Sequence, residues 1–269
     1  MELRSLPRRP FVWIVGAVVE LARDWIARFI AVQGIDRAMA IGAQAYSALL
    51  PLLIVYGSVL PRAGKRSFAD TVIDRFDLTG STAESVRMAF APAGAVESSV
   101  TVLGIVLLVI SGLSFTRGMQ RLYEGAYGLP TLGMRNSFRG LEWLVVVALA
   151  ATVRPPLTEL FGGGLKVAVA LAISVLLWLV TPYLLLGGRL SWRRLLPGAA
   201  LTAVGMLGVG VWSVIWLPHT LSTSAQQYGV IGIGFAMLTY LFAVAVVLVV
   251  ATTGGAMIAD RLARRRGDA

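Results

Sequence analysis

The sequence predicts an all-α fold, a polytopic membrane protein of six transmembrane helices. An N-terminal interfacial amphipathic helix and short helices in the first outer loop accompany them. Three observations carry this. First, apolar runs cover roughly 36–60, 99–115, 141–161, 163–187, 195–217 and 229–258, and a spanning helix needs about 20 such residues. Second, 57% of the 269 residues are hydrophobic and only 14% charged, with mean hydropathy +0.77. A soluble domain is about 45–50% apolar and about 25% charged, so it could not hide this much apolar surface. Third, the arginines crowd into alternate gaps between the runs.

That alternation orients the chain. With the amino terminus cytoplasmic, Arg4, Arg8, Arg9, Arg23 and Arg28 lie inside. Arg117, Arg121, Arg135 and Arg139 follow in the second inner gap, Arg189, Arg193 and Arg194 in the third, and Arg261, Arg264, Arg265 and Arg266 at the carboxyl end. The 218–228 gap has no Lys or Arg, and 162–166 has only Lys166. Short basic loops stay cytoplasmic, so both ends are expected inside. The distribution also accounts for the net charge of +10 without nucleic acid. The first outer loop is an exception. It carries Arg62, Lys65, Arg66, Arg75 and Arg87 among five acids, but long segments obey the rule weakly.

The expected organisation has three parts: a tail and interfacial helix over 1–35, a transmembrane domain over 36–258, and a basic tail over 259–269. Residues 11–22 lack a small-residue cleavage site; Arg23-Asp24-Trp25 follows instead. This stretch therefore reads as a helix lying in the interface rather than a signal peptide. The outer loop 61–98 holds two short helices: Phe68, Val72, Ile73 and Phe76 recur at helical spacing, and Ser81 with Glu84 forms a candidate capping box. After the second run, Phe115, Met119, Leu122, Tyr123 and Ala126 share one helical face and Arg117, Gln120, Arg121 and Glu124 another. That predicts an interfacial helix ended by Gly128 and Pro130. In the third run, Arg154-Pro155-Pro156 is expected to break the helix. PHTLSTSAQQYG, 217–229 less its first residue, reads as a short polar outer loop. The glycines of the last two spans let helices approach closely.

Arg154 is the sharpest candidate site. The 13 residues 141–153 span only about 20 Å. The arginine then either contacts an anion in a polar cavity or snorkels to the outer headgroups, and Glu159 is a possible structural partner. Gln44, Tyr46 and Ser47 line a substrate path or bond between helices; Tyr240 and Thr239 carry the same two readings. Arg117, Arg121, Arg135 and Arg139 bind acidic headgroups or serve only as topology signals. Catalysis has little support: His219 is the lone histidine, there is no cysteine, and no HExxH or phosphate-binding loop occurs. Neither enzyme activity, cofactor nor metal is expected.

Four segments in order resemble the YihY/BrkB family of bacterial inner-membrane proteins, over roughly 25–262. They are RAMAIGAQAYSALLPLL (37–53), FTRGMQRLYEGAYGLP (115–130), WRRLLPGAALTAV (192–204) and YGVIGIGFAMLTYLFAVAVV (228–247). The family's last span usually ends Gly-Ala-Glu, whereas ATTGGAMIAD here places Thr253 or Met257 at the acid. The resemblance implies six spans with both termini inside. It also implies an envelope protein, a transporter or flippase-like carrier of an anionic lipid or related amphiphile. A non-transporting scaffold or accessory subunit, working with protein partners or as a homo-oligomer, is the alternative.

Overall fold

A computed structural model describes residues 10–59, 68–89 and 98–266. Arg4, Arg8, Arg9, Arg62, Lys65, Arg66 and Glu97 of the sequence reading lie outside them. Every regular element among the described residues is helical: α1 (Pro10–Ala31), α2 (Gly34–Val59), α3 (Phe68–Phe76), α4 (Gly80–Ala89), α5 (Ser98–Ala126), α6 (Ser137–Glu159), α7 (Gly163–Leu185) and α8 (Trp192–Arg266), with a 3-10 turn at Gly133–Asn136. Four of these helices contain stretches long and apolar enough to cross a bilayer: 102–126, 138–159, 163–185 and 192–265. Large apolar side chains stand exposed along them, among them Val102, Ile110, Val145, Val167 and Ile215. The chain is thus compatible with an integral membrane protein, whose lipid would cover such surface.

At 75 residues α8 would run about 110 Å as one rod. It does not, because Gly229 leaves helical geometry at φ 58, ψ −136. The two arms, 192–228 and 230–266, fold back antiparallel. Gly198 meets Gly255, Gly205 meets Val247, and Ser224 meets Gly232. At the first meeting a Cβ on Gly255 would lie 2.1 Å from the Gly198 Cα, so the backbones touch and no side chain fits. Around this hairpin α2 packs between α5 and α8, and α6 and α7 follow as an antiparallel pair.

Two cores result. The larger joins Ala38, Met119, Leu122, Trp143, Leu186, Leu195 and Val249 near the tips of the α8 arms. Because the arginines of α5 and α8, and Arg189 just beyond α7, gather there, we call it the basic end. The smaller core lies at the Gly229 end, where Val72, Ile73 and Val86 of α3 and α4 meet Leu217, Leu221 and Ile233 of α8. The two short helices expected in 61–98 are therefore present, although α4 begins at Gly80, one residue before Ser81.

Three expectations are corrected. The helix over 115–126 is not separate; it is the last part of a continuous α5, since no helix breaker precedes Gly128. There the chain turns with φ +64, and Leu129 N–H bonds Glu124 O while Gly128 N–H bonds Gly125 O, a glycine stop that satisfies the final carbonyls. The 218–228 segment is helix, not loop: Leu217 and Leu221 are buried one turn apart against α3 and α4, and the polar residues take the open side. Finally, α6 runs through Pro155 and Pro156 to Glu159. The prolines remove the N–H donors to Ala151 O and Thr152 O, yet the helix continues past them, and the Thr158 hydroxyl caps Arg154 O and Pro155 O at 3.0 Å each.

The glycine contact predicts an asymmetry. Gly255→Val is expected to destabilise by about 3 kcal/mol or more through overpacking against backbone. Gly208→Val, with nothing within 4 Å of its Cβ, is expected to be tolerated. Thermal unfolding in detergent, followed by size-exclusion profile, checks both.

Candidate functional site

The basic end is held by two carboxylates that the helix ends bring among arginines. Glu124, in the last turn of α5, is 2% exposed. Its Oε1 accepts from Gln120 Nε2 at 2.8 Å, from the backbone N–H of Leu132 at 2.8 Å and from Arg189 Nη2 at 3.1 Å. Arg189 also donates to Pro130 O and Leu186 O, and Asn136 Nδ2 to Leu185 O. One buried oxygen thereby ties the 127–136 connection to α5 and to the end of α7. A carboxylate this deep is stable only when paired and hydrogen-bonded.

Asp260, near the end of the second α8 arm, takes Arg28 of α1 on Oδ2 at 2.6 Å and Arg194 of the first arm on Oδ1 at 2.8 Å. Both of its carboxylate oxygens are thereby engaged by guanidinium donors. Arg261 of the same arm pairs with Asp24 of α1. Trp25 completes the junction: its indole N–H donates to Val250 O at 3.0 Å and Thr253 Oγ1 at 3.3 Å, and its ring lies against Gly254. Beside this junction a groove of about 1150 Å³ opens between the arm tips, lined by Trp192, Arg193, Arg194, Leu196, Pro197 and Leu262 among others.

The residues singled out from sequence are scattered over the bundle. Arg154 is exposed on α6 beside exposed Val153 and Leu157, roughly 25 Å along the helix from Ser137. It makes no ion pair with Glu159 among the described residues. Gln44 and Tyr46 instead face inward. The Gln44 amide oxygen lies against Gly118 of α5 and has no hydrogen-bond partner. The Tyr46 hydroxyl lies against Gly234 of α8, and Ser47 bonds the Gln44 carbonyl. Tyr240 packs on the smaller core, and the Thr239 hydroxyl bonds Phe235 O.

Among the four arginines proposed for headgroups, Arg121 is exposed and close enough to Arg37 to repel it. Arg139 reaches over Gly187, and Arg117 is half-buried. The side chain of Arg135 lies outside the described residues. His219 is exposed and its carbonyl accepts from Ser222. Among the described residues no group of three or more His, Asp or Glu side chains is placed to hold a metal.

No family model, curated protein or solved structure matches this chain.

Sequence reasoning missed the two carboxylate hubs. Glu124 was assigned to a polar helix face, but its partners Leu132 and Arg189 come from a later turn and a later helix. Asp260 carried a usable signal: it is the only acid between Glu159 and Asp268, set directly before Arg261 after a long apolar run. An acid so placed has arginines within reach and little else.

Asp260→Asn is expected to cost about 1–2 kcal/mol, the low end for charged bonds because both guanidiniums touch water. Thermal melts of the parent and the variant in detergent check it.

Proposed function

We propose that the chain is a six-span protein of a bacterial cytoplasmic membrane, of YihY/BrkB type. In this reading it is a transporter or flippase-like protein that moves an anionic envelope lipid or related amphiphile. The spans are α2, α5, α6, α7 and the two arms of α8, with the basic end cytoplasmic. The alternating arginines support that orientation, the four ordered segments support the family reading, and α1, clamped to the last arm, would lie along the inner interface.

One observation supports transport most directly: the unpartnered amide oxygen of Gln44 inside the contact of α2 with α5. A buried polar atom left unsatisfied costs about 1–3 kcal/mol. In a bundle, such atoms are kept where water or a polar part of a substrate visits. Tyr46, whose hydroxyl lies against Gly234, extends this polar seam toward the Gly229 end, and Tyr240 lies on α8 between that contact and Phe242, which packs on Gly42. Arg154 would meet headgroups at the far surface, about a bilayer's thickness from the basic end.

The second reading, a scaffold or accessory subunit, is favoured by the backbone contact of Gly198 with Gly255 and by the Asp260 clamp. Both restrict relative motion of the arms.

Reconstitution into vesicles with labelled phosphatidylglycerol separates the two. Translocation by the parent is expected to fall at least tenfold in Gln44→Leu, while thermal stability stays equal or rises, since the apolar side chain removes an unpaired group. A parent that moves no anionic lipid under any ion or proton gradient excludes transport. A partner protein recovered by crosslinking then points to the scaffold.

A further inference from the structure

The groove between the α8 tips shares Arg194 with the Asp260 hub but is otherwise lined by residues that neither the transport seam nor the two carboxylate hubs use. Its floor and walls are mostly apolar, with Leu196, Pro197 and Leu262, while Arg193 and Arg194 provide its charge. Trp192, at its mouth, is partly exposed and stacks on Tyr183 with centroids 4.1 Å apart. Aromatic side chains of this kind sit at the level of headgroups.

The two arginines differ. Arg194 gives Nη2 to Asp260, yet its Nε is buried and without a hydrogen-bond partner. Arg193 is exposed and makes no ion pair among the described residues. A free guanidinium and a partly exposed one therefore share one groove. An anion with several oxygens, such as a phosphodiester, would reach both, and arginine suits that geometry.

The apolar part continues beyond the groove. Trp192, Leu196, Val204, Val211 and Ile215 are all exposed. Their spacings of 4, 8, 7 and 4 residues keep them on one side of the first arm. This stripe runs about 35 Å from the groove toward the Gly229 end, the direction an acyl chain would take from a headgroup into hydrocarbon. Charge at one end and a continuous apolar track leading away fit an anionic phospholipid, rather than a soluble anion or a protein segment.

We propose that this groove is a binding site for an anionic phospholipid. The phosphodiester sits against Arg193 and the exposed part of the Arg194 guanidinium, the headgroup lies beside Trp192, and one acyl chain follows the first part of the stripe, from Leu196 to Val204, about 12 Å along the helix. The site rests on the reading of the chain as a lipid-handling membrane protein and assigns that protein its basic-end lipid contact.

Native mass spectrometry of the full chain, titrated with phosphatidylglycerol and with phosphatidylcholine, tests it. The parent is expected to bind phosphatidylglycerol at least fivefold more tightly than phosphatidylcholine, and Arg193→Gln to lose that preference. Arg264→Gln, which removes an exposed basic-end charge outside the groove, is expected to keep it. Leu196→Asn is expected to weaken both lipids. Equal phosphatidylglycerol binding by parent and Arg193→Gln overturns the site. So does full displacement of the lipid by millimolar inorganic phosphate, or a dimer that excludes lipid from the groove. Loss of binding in Arg193→Gln alongside a parent that translocates nothing leaves the site standing and removes only the transport reading.

Discussion

The contact of Gly198 with Gly255 sets the geometry of everything at the basic end. With no Cβ on either side, the two α8 arms meet at backbone distance, where dispersion between the chains is largest and no side-chain entropy is lost. Only at that separation does Asp260, five residues beyond Gly255, reach Arg194, four residues before Gly198. The same carboxylate then holds Arg28, which brings α1 down onto the second arm. Tyr127 also depends on the contact. Its hydroxyl lies 2.9 Å from where a Gly198 Cβ would be, so a side chain there would push away the end of α5 as well as the partner arm.

The charges at this end do two kinds of work. Counted along the sequence, its arginines fall into alternate gaps between the apolar runs. In the fold, Arg28, Arg189 and Arg194 are neutralised by Asp260 and Glu124, whereas Arg193 and Arg121 stay open to solvent or headgroups. The acids are few, but each serves more than one element. Glu124 joins a helix end, a connection and α7; Asp260 joins α1 and both arms. Removing either would leave several donors without an acceptor at once, which is why their effects should exceed those of any single surface arginine.

Much of the fold is legible in the sequence because lipid exposure demands long apolar runs, and such runs are visible without knowing what they touch. The two short helices of 61–98 were legible for a related reason: Val72 and Ile73 repeat at helical spacing and are buried. What could not be seen depends on packing at a distance. Residues 218–228 look like a loop from Pro218 and the run of Ser and Gln, but α3 and α4 supply the apolar surface that keeps Leu217 and Leu221 helical. Pro155 and Pro156 look like a break, yet α6 absorbs the two lost donors and runs on to Glu159, with Thr158 bonding back to Arg154 O and Pro155 O. Of the candidate residues, Gln44 and Tyr46 were legible as inward-facing polar groups, whereas the burial of Glu124 required Arg189, 65 residues away.

The docking of Trp25 on Val250 joins residues 225 positions apart. During synthesis at about 5–20 residues per second, α1 emerges roughly 10–45 seconds before its partner exists. Through that interval the helix has no Gly254 to lie against and no Asp260 for Arg28. Completion of the carboxyl-terminal helix is therefore the event that fixes the first helix in place. A chain truncated before Val250 would lose its beginning as well as its end.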